Sequence, residues 1–162
     1  MKPHHIFRAV SGFTMIEVLI TLIILSIGLL GLAGLQANSM TSNHNSYLKN
    51  QASIFANDMT DRMRANIVGV RANSYNNLNG IPVDPGCITA GCTPAQMATT
   101  DLFEWNTALA QQLPSGQGTI VGDGSIFTIT VRWDQARTGV NGLGCDPADA
   151  DDLQCLTLNI TL

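Results

Sequence analysis

From Phe13 to Leu35 the chain reads FTMIEVLITLIILSIGLLGLAGL, apolar on every side of a helix apart from Glu17 and a few hydroxyls. A stretch of this length meets the roughly 20 residues needed to cross ~30 Å of hydrocarbon. Beyond Leu35 the composition turns polar but the helical spacing persists. Ala37, Met40, His44, Leu48, Ala52, Phe55, Met59, Met63 and Ile67 recur every three or four residues, which is one face of an α-helix. No proline falls in 13–68, so the pattern predicts one continuous helix with Gly69 as its stop. Its first half is built for an apolar solvent, and its second half carries a stripe for a globular domain. Gly28, Gly31 and Gly34 in the first half permit close approach of another helix.

The remainder alternates loop and element. Residues 69–95 are rich in Asn, Gly, Pro and Thr and read as loop with at most short elements. Thr93 is placed to cap a helix that Pro94 opens. Met97, Asp101, Trp105, Leu109 and Leu113 then follow at steps of four, and Pro114-Ser115-Gly116 closes the helix. Thr119-Ile120-Val121, a turn at 122–125, the run Ile126 to Asp134 and the run Leu156 to Leu162 alternate apolar with polar residues, as half-buried strands do. The expected architecture is α+β: a long N-terminal helix with a small antiparallel sheet laid on its C-terminal half.

Composition sharpens this picture. Only 12% of residues are charged, 45% are apolar, and the formal net charge is -4 with no basic run; nucleic acid is not an expected partner. Lys2 and Arg8 precede the apolar run, which leaves the N-terminus cytoplasmic and everything after Leu35 outside. The run exceeds a usual secretory h-region, and no A-x-A site follows it. Four cysteines, with no CxxC and no Cys/His zinc spacing, suit disulfides in an oxidising compartment. The histidines are His4, His5 and His44, and no GxSxG, P-loop or HExxH occurs. No enzyme and no cofactor is expected, and His44 reads as a partly buried helix-face residue.

The informative stretch is Ser11-Gly12-Phe13-Thr14-Met15-Ile16-Glu17. A carboxylate inside an apolar segment costs about 2.5–3.5 kcal/mol on insertion scales, and the nearest good partner is the positive terminus that a cut after Gly12 would create. The string resembles the class III signal of type IV pilins: a short basic leader ending in Gly, then Phe, then Glu as the fifth residue of the mature chain. That resemblance implies cleavage between Gly12 and Phe13 by a prepilin peptidase, methylation of the new terminus, and pairing of Glu17 with the Phe13 amine of a neighbouring subunit during assembly. The plain alternative is a membrane anchor with a stray Glu. On this reading residues 1-12 are a cleaved leader, 13-35 the transmembrane and filament-core helix, 36-68 its amphipathic extension, and 69-162 an extracytoplasmic globular domain.

The segment from Cys92-Thr93-Pro94-Ala95-Gln96-Met97-Ala98 through Asp101 and Trp105 to Leu113-Pro114 resembles the PilV family of minor pilins, as does the Thr-Ile-Thr-Val-Arg-Trp-Asp strand. The resemblance leaves out residues 69–91 and 139–154. It implies a subunit that supports initiation of type IV pilus assembly, and hence twitching motility, with the major pilin, other minor pilins and a tip-associated protein as partners. The implied location is the bacterial inner membrane, then the extracellular pilus. Two other readings share the features: a minor pseudopilin of type II secretion, and an adhesive or ligand-binding tip module using those two loops. Four cysteines allow three pairings; Cys87–Cys92 with Cys145–Cys155 is favoured because each closes a turn-rich loop. Asp146, Asp149, Asp151 and Asp152 are candidate calcium ligands by residue type, but their spacing matches no EF-hand and a solvated acidic loop is the ordinary explanation.

Overall fold

The computed structural model describes residues 12–87 and 91–162. The chain forms two compact units, Met1–Asn43 and His44–Leu162, with the boundary inside one helix. That helix, α1, spans Met15–Ala65. In the first unit its apolar residues are open on every side, from Val18 at 48% exposure to Met15 at 86%. The hydroxyls there bond back along the helix, Thr21 to the Val18 carbonyl at 2.8 Å and Ser26 to the Leu22 carbonyl at 2.7 Å. Such self-satisfaction is what a segment surrounded by hydrocarbon requires.

In the second unit α1 buries Leu48, Ala52, Ala56, Met59, Thr60 and Met63, while Phe55 is half-buried. His44, expected to be partly buried, is exposed; the buried stripe begins one turn later, at Leu48. The helix also stops earlier than Gly69. Asn66 leaves helical geometry at φ -109° and ψ 51°, and its side chain accepts from the Gly69 amide. Its Nδ2 donates to the Pro94 carbonyl at 2.8 Å and to the Tyr75 hydroxyl at 3.1 Å. A short helix α2, Ile67–Arg71, follows. Gly69 sits inside it, where a Cβ would lie 2.6 Å from Asn66 Nδ2.

The chain then forms β1, Leu78–Asn79, and the helix α3, Pro94–Gln112. Thr93 caps α3 in a capping box with Gln96, so two of its free amides are satisfied locally. Strands β2 (Gln117–Asp123), β3 (Ile126–Trp133) and β4 (Gln154–Thr161) complete a four-stranded antiparallel sheet of order β1-β2-β3-β4. Gly124, at φ +66°, opens the two-residue turn between Asp123 and Ile126, a conformation that glycine adopts without a Cβ penalty.

One core joins the second-unit part of α1, α3 and the inner face of the sheet. Trp105 lies at its centre, fully buried. Its indole nitrogen donates to the Phe55 carbonyl of α1 at 2.9 Å, and its ring rests on Gly118 of β2, where a Cβ would come within 2.2 Å. The glycine is therefore the seat of the tryptophan. Asn106 adds a polar stitch, accepting from the Gly118 amide at 2.6 Å and donating to the Gly80 carbonyl at 2.8 Å.

Candidate functional site

In the first unit the candidate site is the start of α1. Among the described residues no atom lies within 4 Å of where a Cβ on Gly12 would stand, and Phe13 is 84% exposed. Residues 1–11, with Lys2, Arg8, His4 and His5 among them, lie outside the described residues. Thr14 precedes the first helical residue, and its Oγ1 accepts from the Glu17 amide at 3.3 Å. Thr14-x-x-Glu17 is thus a capping-box sequence with one of its two bonds formed. The Glu17 carboxylate lies in the first turn, where the positive end of the helix dipole favours an anion. From Phe13 to Leu48 no other residue carries an acid or a base of Lys or Arg type, and one 18-residue window of α1 reaches a mean hydropathy of 2.7.

In the second unit a polar network ties α1, α3 and the turn after α2. Arg62 reaches Asp58 at 3.0 Å, Glu104 at 2.7 Å and Asp101 at 3.4 Å. Burial works against its charge, but bonds and attraction from Glu104 and Asp58 outweigh this and hold the guanidinium above its ordinary value. The buried Tyr75 hydroxyl donates to Asp101; burial, then this bond, pushes the phenol up. A cavity of about 300 Å³ lies beside the network, lined by Ala65, Cys92, Pro94 and Met97 among others. Sequence reasoning placed Asp101 on the α3 stripe but missed Arg62, Asn66 and Tyr75, because their partners are far away in the chain.

Cys87 is bonded to Cys92 and Cys145 to Cys155. Thr100, buried on α3, donates to the Cys87 sulfur at 3.0 Å, which fixes the first of these loops on the helix. In the second loop three of the four candidate aspartates serve the backbone. Asp146 accepts from Ala148, Asp149 from Asp151, and Asp152 from both Gly144 and Asp146. Among the described residues no three of His, Cys, Asp or Glu converge as a metal cage. Nearby, Asp134 is buried beneath the turn 135–139. Burial raises its carboxyl, but the amides of Gly139, Thr138, Arg137 and Ala136 outweigh that and hold it below the usual range.

The prokaryotic N-terminal methylation motif matches residues 7–33, and the family model described as Type IV pilin Tt1218 matches residues 34–103. Residues 7–33 are thus similar to that motif and residues 34–103 to a type IV pilin, each over less than half of the chain. The two matches meet inside α1, the first covering the open apolar part and the second running on into α3. No curated protein and no solved structure matches the chain. The motif and the apolar N-terminal part of α1 together fit anchoring in an inner membrane.

Proposed function

We propose that the chain is a minor pilin of PilV type, which supports initiation of type IV pilus assembly and enters the fibre at or near its tip. One observation carries the pilin part of this reading: the open apolar part of α1 holds a single carboxylate, Glu17, at the fifth position after the Gly12–Phe13 junction. A plain anchor has no use for a charge at that depth. The PilV assignment is supported by the capped helix from Thr93 through Asp101, Trp105 and Leu113, followed by the strand that ends in Arg132-Trp133 with Asp134 just beyond it. The prepilin peptidase cuts after Gly12 and methylates Phe13. The globular part stands outside the cytoplasm, where its two disulfides persist, and meets the major pilin, other minor pilins and a tip-associated protein.

The test is deletion of the gene in its own bacterium, with complementation by the full chain. Surface pili and twitching should fall while the major pilin stays in the membrane, and type II secretion should be unchanged. Normal piliation with a secretion defect would overturn the reading in favour of a pseudopilin. The mass of the membrane-extracted N-terminus should begin at methylated Phe13; a chain beginning at Met1 or beyond Leu35 would refute the processing step.

A further inference from the structure

The two edges of the sheet are protected unequally. The β1 edge is two residues long, and shortness is one way to blunt an edge. The β4 edge is eight residues long, and from Gln154 to Leu162 it holds no charge, no proline and no glycine. The Leu162 amide donates inward to Ser125 at 2.9 Å, in register with the β3–β4 ladder. Hydrogen-bonded pairs alternate along an antiparallel ladder, so Leu156, Leu158 and Ile160 face β3 with their backbone groups. Those of Thr157, Asn159 and Thr161 face away from the sheet. Among the described residues none of these outward groups has a backbone partner, and all three side chains are exposed.

The side chains on the inner face point to the same vacancy. On β3, Phe127, Ile129 and Val131 are fully buried. Their register partners Ile160, Leu158 and Leu156 on β4 are only partly buried, since no strand covers their far side. We propose that the outer edge of β4, at Thr157, Asn159 and Thr161, is a strand-addition site that takes an extended, uncharged segment of a different protein as a fifth strand. The segment has apolar residues at alternate positions, which extend the row of Leu156, Leu158 and Ile160, and small polar ones between them. Main-chain hydrogen bonds hold such a strand and the alternate side chains select it.

That the strand is foreign rests on the pilin-type reading of the preceding subsection. Copies in a filament are related by a screw, so their contacts are heterologous: one surface meets a different one. Two β4 edges meet only across a two-fold axis, and the remaining edge, β1, is too short to serve as the complement. A second copy in the fibre therefore offers no sheet edge to fill the site.

The full chain should be expressed in its own bacterium with a photo-crosslinking residue at Thr157 or Thr161, and at Val121 on the same face but off the edge as control. Both edge positions should capture one contiguous segment of another protein, at sites spaced as Thr157 and Thr161 are, with apolar residues alternating there. Val121 should not capture it. Thr157→Pro, which removes an outward amide and not a β3 bond, should lower capture from Thr161 by about tenfold, since a ladder bond and its neighbour are lost. Thr157→Lys, which leaves the backbone intact, should also lower it. Buried Trp105 and Trp133 fluorescence verifies folding of both variants. Capture of a second copy, capture at scattered unspaced sites, no capture, or unchanged capture in both variants would overturn the inference. Sheared filaments from the same cells are probed for the chain. Its presence there with none of the expected capture defeats the strand site alone, whereas its absence with spaced capture intact defeats the filament reading instead.

Discussion

The Tyr75 hydroxyl donates to the Asp101 carboxylate, and this bond fastens the turn after α2 to the middle of α3. Arg62 approaches the other oxygen of Asp101 from α1, so a single buried carboxylate joins three segments. Removing the phenol oxygen leaves that carboxylate short of a donor. Tyr75→Phe should therefore lower stability by about 1–3 kcal/mol, the usual cost of an unsatisfied buried group. The unfolding midpoint of the full chain in detergent, followed by the fluorescence of Trp105 and Trp133, measures this; a midpoint equal to the parent's would show that the bond contributes nothing.

Gly118→Ala tests the seat of Trp105. The added Cβ would meet the ring at 2.2 Å and Leu109 Cδ1 at 2.8 Å, and neither side chain has free space in the core. Overpacking of this kind costs typically about 1–3 kcal/mol. Gly124→Ala, where no atom lies near but φ is +66°, provides a comparison with backbone strain alone. The prediction is a lower denaturation midpoint together with a shifted Trp105 emission in Gly118→Ala, and no emission shift in Gly124→Ala.

Asp134 links stability to acid. Its carboxyl is held below the usual range, so the unfolded chain binds the proton more readily than the folded one. The resulting stability is fully present above the unfolded value near 3.9, and it is lost as pH falls through the lower folded value. Asp134→Asn should be less stable than the parent at pH 7, and the gap should close as the solution is acidified below about pH 4. Unfolding midpoints of the two proteins across pH 2–7 check this; parallel profiles would assign the acid response to other carboxylates.

Glu17 is open to a test that separates charge from helix capping. Thr14 already accepts from the Glu17 amide, and either Glu or Gln can complete a capping box. Glu17→Val removes both functions, whereas Glu17→Gln removes only the charge. Loss of a buried ion pair costs about 3–5 kcal/mol, so both variants should be cleaved and retained in membranes yet fall by about tenfold or more in sheared pili. Recovery of Glu17→Gln at the parent level would reduce the residue to a cap; recovery of both would remove its role in assembly.

Local rules on this chain were legible from the sequence. The absence of proline allows α1 to run from Met15 to Ala65, the Thr93/Gln96 pair starts α3, and alternation with Gly124 at the turn produces the β2–β3 hairpin. The methylation-type motif at 11–17 was equally plain, because a charge inside an apolar run stands out in one dimension. Periodicity, however, reports which face of an element is apolar and not which distant segment covers it. Only the tertiary structure ended α1 at Asn66, through bonds to Pro94 and Tyr75 that lie 28 and 9 residues away. It left His44 exposed, because cover of the stripe starts at Leu48. It turned Gly118 into a seat for Trp105, and it left one long edge of the sheet with its backbone unpaired. Each of these depends on contacts between residues far apart in the chain, which residue spacing alone cannot encode.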